Sequence, residues 1–180
     1  MKNMLLENVE YKIDETPNGV WRRFVYHNGE YFAEYRSKHT IMGMPLVHYT
    51  RGKCPETGRR IVAKGFIAVG RMAVGVIALG HVSAGIVALG QASLGLLFSL
   101  AQASAGYTAI GQLALGIHMG IGQLATGATA IGQLAAGKYV LAQIGFGQHL
   151  WTADSADPAA VDYFRGLWDG IVSHLPFSTR

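Results

Sequence analysis

From residue 65 onward the apolar positions of the chain fall on a beat of five. The units run GFIAV, GRMAV, GVIAL, GHVSA, GIVAL, GQASL, GLLFSL, AQASA, GYTAI, GQLAL, GIHMGI, GQLAT, GATAI and GQLAA, on the template glycine, variable, aliphatic, alanine or serine, aliphatic. A helix cannot use such a beat. At about 100° per residue, glycines five apart rotate by roughly 140° each and wind around the cylinder instead of lining one seam, and each costs up to about 1 kcal/mol against alanine in a helix interior. Strand geometry can use it, because alternation sends the second and fourth residues of a unit to one face and the third and fifth to the other. On this pattern the aliphatic pairs, such as Ile77 and Leu79, are expected to fill a core while Val76 and Ala78 face outward. The glycines at Gly65, Gly70, Gly75, Gly80, Gly85, Gly90, Gly95, Gly106, Gly111, Gly116, Gly127 and Gly132 would mark corners where the backbone takes angles that other residues resist.

The second position of each unit alternates between apolar and polar side chains, so the chemical period is ten. Its polar members include Gln91, Gln102, Gln112, Gln123 and Gln133, expected to stack into a glutamine ladder along the axis of a coil. The two six-residue units begin at Gly95 and Gly116, as if one insertion sat above its copy. That spacing favours coils of about 20–21 residues with four short sides, a ten-residue coil being the alternative. The expected fold is all-β with a C-terminal helix: a right- or left-handed β-solenoid built from five-residue units, preceded by a β-hairpin leader.

The flanks differ from the array. Residues 1–64 are predicted to be a β-hairpin leader and N-terminal cap: two aromatic-rich runs in "VWRRFVYHNGEYFAEYRS" meet at Asn28-Gly29, the pair suited to a type I′ turn, and Thr16-Pro17-Asn18-Gly19 marks another turn. Residues 65–148 form the array, and residues 149–180 a tail with a capping helix. Asp157 as N-cap with Pro158 in the first helical position starts that helix. Val161, Phe164, Trp168, Ile171 and Leu175 then recur at three and four, giving one apolar stripe until Pro176 stops it. The stripe is expected to lie across the open end of the coil.

Composition narrows the function. Of 180 residues, 14% are charged and 24 are glycine, with a formal charge of +4. That is far fewer charges than the usual quarter, and residues 65–148 carry only Arg71 and Lys138. The basic residues of the leader are too sparse for a nucleic-acid footprint, and the opening "MKNMLLENVEYKIDE" lacks the apolar core of a secretory signal. Three unbroken membrane helices over 72–137 would have no polar loop between them. No carboxylate stands between Glu56 and Asp154, no histidines pair at metal-ligand spacing, and no cofactor motif is present. Only His48, just before the array, and Cys54, beside Lys53, Arg59 and Arg60, offer candidate chemistry; a hydrogen-bonded structural role is the simpler reading of the first.

The segment "MGMPLVHYTRG" through "AKGFIAVG", with the later "AIGQLA" units, resembles a group of uncharacterised bacterial Gly/Ile/Ala-rich repeat proteins in which a PLVH-type segment and an alanine-lysine-glycine step lead into the repeats. The resemblance covers roughly residues 41–137 and implies no activity. More weakly, the array resembles pentapeptide-repeat β-solenoids, without their alanine, Asp or Asn, leucine order or the acidic surface by which some of them mimic DNA. The expectation is therefore a non-enzymatic, cytoplasmic assembly protein. It would use no cofactor and would self-associate through apolar, uncharged faces into a closed homo-oligomer or a filament. The alternative is an array that faces lipid at the inner membrane.

Overall fold

A computed structural model describes residues 9–174. Strands account for most of them, and one helix follows near the C-terminus. The chain forms two compact units, divided between Ala101 and Gln102.

In the first unit, β1 (Lys12–Thr16), β2 (Gly19–Val25) and β3 (Tyr31–Ser37) form an antiparallel meander. A small hairpin, β4 (Thr40–Ile41) with β5 (Met44–Pro45), follows, and β6 (Val47–Arg51) then pairs with β3. Alternation in β2 and β3 puts Trp21 and Tyr35 on one face, with ring centroids 4.9 Å apart, and Tyr49 of β6 continues that face at 5.9 Å from Trp21. The turn between β2 and β3 is a three-residue loop, His27-Asn28-Gly29, in place of the expected two-residue type I′ turn. Gly29 N–H donates to the Tyr26 carbonyl at 2.9 Å and only Gly29 takes a positive φ, +80°, as in a type I turn closed by a bulge glycine.

β6 is also the template for the array. It runs parallel to β7 (Ala63–Leu100), with Val47 opposite Ile67, His48 opposite Ala68 and Tyr49 opposite Val69. A straight strand of 38 residues would reach roughly 125 Å. This one turns back on itself. A Cβ at Gly75 would collide with the carbonyl oxygen of Gly65, and the same relation joins Gly80 to Gly70, Gly85 to Gly75 and Gly90 to Gly80. The recurrence of these contacts is ten residues. The two six-residue units absorb their extra residue locally: a Cβ at Gly95 or Gly116 would strike the carbonyl oxygen three residues on, at Phe98 or Met119.

The close approach also corrects the role of the glycines. Among the expected corner glycines only Gly127 has a positive φ; at Gly75, Gly80, Gly85 and Gly90 the requirement is space for a neighbouring carbonyl. The core is corrected too. Ala63, Ala68, Ala73 and Ala78 form a buried cluster, and Ser83, Ala88 and Ser93 follow at the same position of their units. Ile77 and Leu79 are only half-buried. In these units the fourth residue turns inward and the aliphatic pair is displaced outward.

The second unit repeats this arrangement in β8 (Ala103–Trp151), whose interior holds Ala109, Ala114, Ala125, Ala130, Ala135 and Val140. Tyr107 stacks on His118 at 5.1 Å and Tyr139 on His149 at 5.0 Å, close to the spacing of paired strands. The helix α1 (Pro158–Ser173) begins as expected: Asp157 is the N-cap, its Oδ1 accepting from Ala159 N–H at 2.9 Å, and Pro158 follows. It ends at His174, so Leu175 and Pro176 lie outside the described residues. Its neighbours on β8 are Thr129, Tyr139, Ile131, Leu141 and Trp151, positions ten apart on one flank. The helix therefore packs against the last part of β8, where aromatic and aliphatic side chains outside the alanine column give it an apolar seat.

Candidate functional site

Displacement of the aliphatic residues makes the array's exterior its most distinctive surface. In the first unit Met72, Val74, Val82, Leu94, Leu96 and Leu97 are exposed, Leu96 by 71%. In the second unit Leu115, Ile117, Leu124, Leu134, Ile144 and Phe146 are exposed, Ile117 by 74%. The extremes fall in the two six-residue units, where the local bend pushes the second residue out. A folded protein normally contributes scattered apolar atoms to its surface; this one presents them at regular positions.

The expected glutamine positions Gln91, Gln102, Gln112, Gln123 and Gln133 are all exposed. Gln112, Gln123 and Gln133 line one shallow groove with Ile121 and Ile131. Among the described residues no hydrogen bond joins these three amides to one another, so their polar groups face the groove and solvent.

His48 is buried, and its register opposite Ala68 places it at the head of the alanine column. Lys64 N–H donates to its Nδ1 at 2.8 Å, which leaves the proton on Nε2 to be donated to Glu34 Oε1 at 3.1 Å. Glu34 is itself buried and receives Arg22 on Oε2 and Arg36 on Oε1, the latter at 3.1 Å. Burial alone would raise its pKa, but the hydrogen bonds from His48 and Arg22 and the charges of Arg22 and Arg36 outweigh it and hold the carboxyl at about 2. The imidazole is thus committed on both nitrogens. A cavity of about 540 Å³ opens beside it, walled by Met44, Pro45, Ile61 and Val62, with Arg36 and Lys64 on its lining.

Cys54 is also buried, in the turn Cys54-Pro55-Glu56-Thr57-Gly58. Burial would raise its pKa, but hydrogen bonds from the Thr57 backbone and side chain, the Glu56 backbone and the Tyr11 hydroxyl lower it. Tyr11, 3.8 Å away, is shifted upward by burial and by its bond to the same sulfur. Among the described residues no hydrogen bond joins Cys54 to His48. Among the described residues no group of three His, Cys, Asp or Glu side chains has the geometry of a metal site.

The helix residues divide. Val161 and Phe164 turn toward β8, whereas Trp168 is 66% and Ile171 51% exposed. Three contacts that residue order does not show fasten the first half of α1. Tyr163 Oη lies 2.6 Å from Thr129 Oγ1 and its ring stacks on Tyr139 at 4.1 Å, while Asp157 Oδ2 meets His149 Nδ1 at 2.8 Å. The place of Glu34 is not legible in residue order either. Alternation shows that Glu34 and Arg36 share a face of β3, but nothing in the residue order points that face at His48. No protein-family model, curated protein or solved structure matches the chain.

Proposed function

We propose that the chain is a non-enzymatic assembly protein, a β-solenoid that packs its apolar, uncharged sides against copies of itself. In this reading each coil has ten residues in two five-residue sides. The ten-residue recurrence of the glycine contacts supports it, as do the alanine column and the aromatic stacks near 5 Å. The hairpin leader meets the start of the array through β6, which supplies a partner strand to Ile67, Ala68 and Val69.

The observation that carries the assembly reading is the inversion of inside and outside: alanine and serine within, valine, leucine and isoleucine without. Contiguous exposed apolar area above several hundred Å² on a folded protein marks a contact surface. Size-exclusion chromatography with light scattering tests it. The expected mass is a multiple of 19.3 kDa, falling when Leu96 and Ile117 are replaced by glutamate, whereas a stable monomer insensitive to salt would overturn the reading.

The same exterior, uncharged from residue 72 to residue 137, favours a second reading in which these sides rest on lipid. No helix among the described residues is long and apolar enough to cross a membrane, so the contact would be made by strands. Retention of the chain in carbonate-washed membranes supports this reading, and recovery of the oligomer in the wash supports the first.

A further inference from the structure

The second half of α1 stands over a cavity that its own chain does not fill. The space, about 500 Å³, is walled on one side by Ile131, Leu141 and Trp151 of β8 and on the other by Phe164, Leu167 and Trp168 of α1. Ile171 and two charged side chains, Arg165 and Asp169, complete the lining. They have opposite sign and stand four residues apart on one helix, so they project from neighbouring turns. Neither has an ion-pair partner among the salt bridges of the described residues.

We infer that α1 is a dimer contact: the helix of a second copy lies antiparallel to it, with Trp168 of each copy over the cavity of the other and Arg165 of each facing Asp169 of the other. The inference rests on the assembly reading above and assigns it a specific contact. The occupant follows from the arrangement of charge. An antiparallel two-fold pairing reverses the order of the two side chains, so the same pair satisfies itself on both sides, as an isologous interface requires. The Trp168 ring supplies the large apolar anchor that such contacts concentrate at their centre. A parallel arrangement would set Arg165 beside Arg165 and Asp169 beside Asp169, which like-charge repulsion disfavours.

The test is a charge exchange in the full chain, read by analytical ultracentrifugation. R165D alone and D169R alone are expected to weaken self-association at least tenfold, since each places like charges across the two-fold. Mixing the two variants in equal amounts, or combining both changes in one chain, is expected to restore it, because opposite charges face each other again. W168A is expected to weaken association without rescue by either charge variant. Circular dichroism on each variant checks that α1 is retained, and the mixing result reads out the contact even where a single variant associates poorly. An associating wild type whose R165D and D169R variants associate equally well alone and mixed would overturn the helix pairing and leave the assembly reading intact. A monomeric wild type would overturn both.

Discussion

The two units share one kind of interior and finish it with different chemistry. Both contain a column of alanines with an occasional serine, and each buried alanine contributes only about 0.8 kcal/mol per methyl group removed from water. A column of methyl groups is a thin core. The first unit supplements it with a polar plug: His48, Glu34, Arg22 and Arg36 join the leader sheet to the start of β7 through charged hydrogen bonds. The second unit adds a helix, seated through aromatic stacking and a hydroxyl pair. In each unit the supporting contacts come from structure added beside the column.

Breaking the plug should have the largest effect. E34Q removes the negative charge that pairs with Arg22 and Arg36 and replaces one of the two acceptor oxygens by a donor, and is expected to cost about 3 kcal/mol, measured by urea denaturation at pH 7. The carboxyl is held at about 2 against an ordinary 4.5, so its contribution is complete above pH 4.5 and is lost as pH falls toward 2. The wild type should therefore lose stability across that interval while E34Q changes much less there; parallel curves would remove Glu34 from the account.

The shared interior is tested by overpacking either unit. A78L in the first and A130L in the second are each expected to cost up to about 3 kcal/mol, because both positions are fully buried. L79A, at a half-buried position, should cost less than A78L in the same thermal unfolding experiment, the reverse of the order expected for a core filled by the aliphatic pair.

The helix seat is weaker. Y163F removes the hydroxyl bonded to Thr129 and should cost about 1 kcal/mol, with the acid dependence assigned to Glu34 left in place. Smallest of all, and of opposite sign, G166A should stabilise by up to about 1 kcal/mol, since a Cβ there meets nothing within 4 Å. G75A, where the added carbon would strike a backbone carbonyl, should destabilise. Similar effects at Gly75 and Gly166 would undo the close-approach account of the array glycines.

Much of the local structure was legible in residue order. The glycine beat and its alternation indicated strands, Thr16-Pro17-Asn18-Gly19 gave a hairpin, and Asp157-Pro158 gave the helix start, because turn and cap preferences act within a few residues. The ten-residue alternation at the second position recurs in the glycine contacts of β7.

What the sequence determined by itself was where the chain could be extended, where it had to turn, and which positions lacked a side chain. Tertiary structure alone decided which face was the inside. A five-residue alternation is symmetric between an interior filled by Ile77 and Leu79 and one filled by Ala78. Contacts between residues ten apart break that symmetry. The pairing of Glu34 with His48 and of Thr129 with Tyr163 was settled in the same way, by side chains meeting across strands and helix whose separation in sequence carries no local signal.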